Sequence, residues 1–250
     1  MPSAQLKMPL VLRPMTREDT TSWTRIRAKA YSGPTHKLVH SGNITEPSIL
    51  RVAESRKKEI GRPNHWQWKV VDTDLEPSPD DPADNGGQTI AIAIWSRVNA
   101  KSETGEISGT AEHASLPAEK LENSGDEQPV IPPEVRADVL AALLGPLRRA
   151  QAEVMGDRSY FMLNTLATHP DHHRKGAGRI LLDWGMRKAD EEGWVTYLDS
   201  SSLARPIYEK VGFELVREIE FDRKPWGGEG IDWMGSMVRQ PRDVGRKEGE

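Results

Sequence analysis

Apolar and polar positions along this chain recur in two periods, and the switches between them outline an ordered set of strands and helices. Residues 10–13 predict a first strand. Thr16 stands where a helix running to about residue 31 would be capped, with Glu18 and Asp19 complementing its dipole. A second helix is expected over 46–60, closed by Gly61 and Pro63, and then a strand over 66–71. Acids and prolines without a basic residue over 72–85 predict a solvated loop that behaves as a mobile linker. Small and β-branched residues over 89–98 predict a third strand, with Trp95 in the core. Polar, acidic composition over 101–128 predicts a disordered insertion. Val135, Val139, Leu143 and Leu147 are then spaced to bury one face of a helix over 132–155.

The second half is more strongly patterned. A buried strand is expected over 160–167 and a helix over 180–192, with Leu181, Leu182 and Ala189 apolar. A strand over 194–198 follows, then a turn at 200–202 with capping hydroxyls, and a short helix over 203–211 ended by Gly212. Two last strands are expected, one reaching Phe221 and one over 232–239, separated by a turn-rich loop that holds Trp226. Residues beyond Gln240 are charged and expected to fray.

With 250 residues the chain can bury one sizeable core, and no composition break separates two sets of elements. One domain is expected over residues 1–250, with its core at about 9–240 and a flexible insertion at about 100–130. The formal net charge of -4 argues against a general nucleic-acid binder. The absence of cysteine removes disulfides, thiolate metal sites and an acyl-cysteine intermediate. No apolar run approaches membrane-spanning length and residues 1–12 carry no signal-like core, so a soluble, cytoplasmic protein with no membrane partner is expected.

The most telling stretch runs from Leu166 through Ala167, Thr168, His169, Pro170, Asp171, His172, His173, Arg174, Lys175, Gly176 and Ala177 to Gly178. A basic, glycine-containing turn links a strand to a helix start, whose free N–H groups and positive dipole end favour an anion. The segment His173-Arg174-Lys175-Gly176-Ala177-Gly178 resembles the acetyl-CoA-binding motif of the GCN5-related N-acetyltransferase (GNAT) superfamily, with His173 where Arg or Gln is usual. Downstream, Ala204, Tyr208, Gly212 and Phe213 are similar to that family's second signature. Ser201 stands where the family often has Asn.

The resemblance implies an α/β (α+β) fold with a mixed, mostly antiparallel central sheet flanked by helices. The loop and helix at about 100–155 would be inserted between the third and fourth strands, and could cover the acceptor side. It also implies acetyl-CoA as cosubstrate and an amine of a small molecule or peptide as acceptor, by direct attack in a ternary complex. On this reading Leu166, Ala167, Thr168 and Ser201 contact pantetheine, and His173 to Arg179 flank the diphosphate. Tyr208 is the general acid, protonated at neutral pH because an ordinary phenol has a pKa of about 10. The strand over 160–167 lacks the Glu that relatives often use as base, Asn164 being its only amide. His65, His169, Asp199 or a water chain are the alternatives. A competing reading is a catalytically weak acyl-CoA-binding or regulatory module. His169, His172 and His173 do not read as a metal site, because Pro170 prevents helical spacing and no thiolate or carboxylate pair completes it.

Overall fold

The protein is described here by a computed structural model that covers residues 9–101, 107–108 and 130–243. Most of the expected disordered insertion, and the terminus beyond 243, lie outside the described residues. Seven strands form one sheet: β1 (Leu10–Pro14), β2 (His65–Asp72), β3 (Gln88–Val98), β4 (Tyr160–Thr168), β5 (Thr196–Ser201), β6 (Glu214–Asp222) and β7 (Ile231–Arg239), in the order β1-β2-β3-β4-β5-β7-β6. Every neighbouring pair is antiparallel except β4 and β5. The mixed, mostly antiparallel sheet is as expected.

Helices cover both faces. α5 (Ala177–Glu192) packs on one through Leu181, Leu182, Met186 and Ala189. α1 (Thr20–Ala30) covers the other, setting Trp23 and Ile26 against Ile92, Ile94 and Ala167, and α3 (Glu46–Arg56) packs on α1. Covered twice, β3 is buried at nearly every position, which is why its sequence is almost continuously apolar. Trp95 is fully buried, stacked on Phe161 at 4.8 Å, and Gly185 of α5 leaves room for its ring. The inserted α4 (Ala137–Met155) lies between β3 and β4 in sequence and packs Val139, Leu143 and Leu147 against Val39, Ile219 and Phe221. Trp226 joins this apolar cluster.

Several boundaries differ from the sequence pattern. The first helix opens with a 3-10 turn at Arg17–Asp19, closed by a reciprocal Thr16–Asp19 capping box. α2 (Pro34–Val39) was not announced by periodicity; Pro34 sits at its first turn, where the missing N–H costs nothing. α3 stops at Arg56 because the amides of Lys57, Lys58 and Glu59 turn back by three residues rather than four. α4 begins at Ala137 instead of 132, since Val135 bridges to His40 and the Arg136 amide bonds the Val39 carbonyl. α5 begins three residues early, at Gly176's cap.

Trp194 continues the end of α5 through its amide to the Ala189 carbonyl, which moves β5 forward and absorbs Ser200 and Ser201 into it. The short helix contracts to α6 (Arg205–Glu209). The 72–85 loop is no free linker: Ser22 Oγ donates to Asp81 Oδ1 at 2.7 Å, Arg25 bonds Asp80, and Lys69 Nζ donates to buried Asn85 at 2.5 Å. Composition signalled solvation, but local acids here accept bonds from α1.

Candidate active site

The site begins with a failure of pairing. β4 and β5 are joined only at Phe161–Thr196 and Met162–Tyr197, after which the two strands part. Their ends, Asn164 to Thr168 on one side and Asp199 to Ser201 on the other, line a cavity of 1920 Å³. Parallel strands whose ladder stops leave main-chain donors and acceptors facing the gap.

The N-terminus of α5 opens onto the same cavity, with His172, His173, Arg174, Gly176, Ala177, Gly178 and Arg179 along its wall. Gly176 caps the helix at φ +91°, a conformation that favours glycine, with no side chain capping the first turn. Nothing lies within 4 Å of where its Cβ would stand. An uncovered helix start beside two arginines suits a diphosphate such as that of CoA. The His173 ring meets the Thr168 carbonyl at 3.2 Å. Arg179 pairs with Asp183 at 2.6 Å. Burial and the Lys175 charge hold His172 below its usual pKa. Lys175 faces elsewhere: its Nζ donates to Asp72 Oδ2 at 2.8 Å, and Lys175 does not line the cavity. Ser201 Oγ accepts the Ala204 amide at 3.3 Å, capping the turn into α6.

Tyr208 of α6 lines the cavity with its ring 8% exposed and edge-on to Phe213. Burial, and then the neighbouring Tyr31 phenol, raise its pKa well above the ordinary value, so it holds its proton at neutral pH. Gly212, at φ +97°, ends the segment and returns Phe213 to the core. Asp199 of β5 also lines the cavity; Tyr197 Oη donates to its Oδ1 at 2.7 Å and Ser236 Oγ at 3.2 Å. Burial pushes its carboxyl up to about 6, against the lowering effect of the two hydroxyls.

The other base candidates are less well placed. His65 lines the cavity with Nδ1 2.9 Å from the Pro63 carbonyl, and His169 is outside the lining, 3.0 Å from Lys29 Nζ. Asn164 donates to Ser96 Oγ at 2.8 Å, leaving its Oδ1 without a partner among the described residues. No group of three potential metal-ligating side chains occurs among the described residues.

The far half of the cavity contains residues that sequence reading passed over. Leu140, Leu143, Leu144 and Leu147 of the inserted α4 line one wall of the cavity. Arg27, Tyr31 and Arg56 line another part. A signal for Arg56 existed: it falls seven residues after Ile49 and three after Ala53, on the buried stripe of α3.

Residues 145–215 match the family model described as an acetyltransferase (GNAT) domain, a span that includes the α5 cradle and Tyr208. Among solved structures, arylalkylamine N-acetyltransferase 2 from Aedes aegypti superposes with a TM-score of 0.56 at 11% identity, covering 93% of this chain and 99% of that one. A Corynebacterium glutamicum protein described as histone acetyltransferase HPA2 and related acetyltransferase gives 0.53 at 15% identity, covering 94% and 97%. The Drosophila melanogaster polyamine N-acetyltransferase gives 0.53 at 12% identity, covering 92% and 99%. No curated protein sequence matches the chain. The resemblance seen in the two motifs is borne out: the chain has the GCN5-related N-acetyltransferase fold, with the GNAT domain model matched across its site-bearing segment.

Proposed function

We propose that this chain is an acetyl-CoA-dependent N-acetyltransferase that passes an acetyl group to a primary amine of a small molecule or peptide, by direct attack in a ternary complex. The observation that carries this reading is the convergence of a parted β4–β5 pair, an open helix start, a carboxyl ionised at neutral pH and a phenol protonated there, all on one cavity. When bound, the cosubstrate supplies an activated acetyl thioester. The amides at the start of α5, with Arg174 and Arg179, would hold its diphosphate, and the main chain of Leu166 to Thr168 would pair with its pantetheine arm.

Asp199 is the general base of this scheme. An amine arrives mostly as ammonium at neutral pH, and a carboxyl of pKa about 6 is ionised there yet more basic than an exposed one. It attracts the ammonium, takes one proton, and leaves the nitrogen lone pair free. Tyr208, kept protonated by burial, hands its proton to the departing thiolate. The regulatory-module reading rests on a strand without a carboxylate and on His173 where Arg or Gln is usual; Asp199 supplies a carboxylate from the adjacent strand.

Calorimetry with acetyl-CoA, together with thiol release over an amine panel, tests the assignment. Gly176→Glu is expected to abolish binding by setting bulk and negative charge against the diphosphate, with circular dichroism reporting an intact fold. Retained affinity would locate the cradle elsewhere, and tight binding without thiol release on any amine would favour the module.

A further inference from the structure

The acceptor half of the cavity holds a charge that the protein itself does not neutralise. Arg56 is 9% exposed and lines the cavity, yet its polar contacts are one bond to Thr24 Oγ1 at 2.8 Å and a stack over the Trp23 ring at 4.5 Å. No carboxylate forms an ion pair with it among the described residues. Arg27 approaches from α1, its guanidinium 5.0 Å from the Tyr31 ring centroid. Burial first, and then the Arg27 charge, pull the Arg56 pKa down to about 9, with the opposing field of Glu59 weaker than that of Arg27. The Trp23 indole N–H also lacks an acceptor among the described residues. A buried guanidinium with a like charge beside it and donors to spare is costly unless an anion completes it.

The position of this lobe ties it to the acetyl-transfer centre. Tyr31, under the Arg27 guanidinium, lines the same cavity as Arg56 and the proposed general acid Tyr208. The helix start that suits a diphosphate belongs to α5, on one face of the sheet, whereas Arg56 bonds Thr24 and stacks on Trp23 of α1, which covers the other face. An anion held by Arg56 is therefore bound by the α1 face of the sheet, apart from the α5 start that suits the diphosphate.

We infer that Arg56 and Arg27 form a carboxylate subsite, and that the amine acceptor is a small molecule of α-amino-acid type, carrying one carboxylate. The planar guanidinium fork matches a carboxylate in bidentate geometry. Glu54 and Glu59 also line this lobe, so its field suits one negative charge rather than a dianion. The inference deepens the transferase reading and rests on it for turnover, but the binding it requires can be measured without turnover.

The test uses matched pairs of N-acetyl compounds, titrated calorimetrically into the protein with CoA present. N-acetylglycine, N-acetyl-leucine and N-acetylphenylalanine are compared with N-methylacetamide, N-isoamylacetamide and N-phenethylacetamide, which lack only the carboxylate. At least one acid is expected to bind about tenfold to a hundredfold more tightly than its partner, the span of a charge-assisted hydrogen-bonded contact. Arg56→Gln should remove that preference and Arg56→Lys should restore only part of it, with CoA affinity reporting that each variant is folded. Equal binding within every pair, or a preference that survives Arg56→Gln, overturns the carboxylate subsite. Tighter binding of the matching aminophosphonate derivatives overturns the choice of a monoanion. Thiol release is then followed with the free amines of the same pairs: a carboxylate preference in binding without turnover of any amine would overturn the transferase reading and leave the subsite standing.

Discussion

Asp199→Asn should make the protein more stable and less active, with both effects dependent on pH. The carboxyl lies at about 6 in the fold against 3.8 in an unfolded chain, a shift of about two pKa units. Each unit is worth about 1.4 kcal/mol, which gives about 3 kcal/mol in full; because the group borders the cavity and keeps some hydration, about 2 kcal/mol is the expectation. The folded pKa is raised, so the native state holds more protons than the unfolded chain between pH 4 and 6. Stability from this group is therefore full below about pH 4 and lost as pH rises through 6. Asn retains the oxygen that accepts from Tyr197 and Ser236 but has no charge to desolvate.

Thermal melts of the two proteins should coincide near pH 4, and the variant should melt about 4–8 °C higher at pH 7.5, given about 2–4 °C per kcal/mol for a chain of this size. In parallel, the wild-type kcat/KM should fall on the acid side of about pH 6, and the variant should lose both that limb and about a hundredfold or more in rate. Equal or lower stability of the variant at both pH values would refute the desolvated carboxylate. An unchanged pH–rate profile would remove Asp199 as base.

Two further expectations concern Tyr208 and Gly185. Tyr208→Phe keeps the edge contact with Phe213 and removes only the hydroxyl, so turnover should fall about a hundredfold while acetyl-CoA affinity stays nearly unchanged; an unaltered rate across pH would exclude the phenol. Gly185→Ala would put a methyl 2.1 Å from Trp95 Cζ2, against a ring already stacked on Phe161, and should cost about 1–3 kcal/mol in urea unfolding. Unchanged stability would mean that the α5–β3 contact is looser than the structure has it.

Local pattern was enough for the elements whose periodicity runs long, such as β3, α4 and α5, and for the two motifs whose residues are close in sequence. The turn into α5 was legible because a helix start, a left-handed glycine and flanking cations are all consecutive features. Tyr208 was legible from its spacing to Ala204, Gly212 and Phe213. Element ends were less so, because hydrogen bonds to distant segments decided them: Val135 pairs with His40, and the Trp194 amide stays with α5.

What the chain by itself determined about this protein is therefore its strand and helix content and the glycine turn into α5, since those follow from side-chain periodicity and backbone chemistry within a dozen residues. Tertiary structure alone decided which charged groups are desolvated. Asp199 is an ordinary acid in sequence and a tuned one only where β4 and β5 part beside Tyr197 and Ser236. Arg56 is an ordinary end to a helix until α1 closes over it with Trp23 and Arg27. Desolvation depends on what packs around a group from elsewhere in the chain, and no local pattern carries that information.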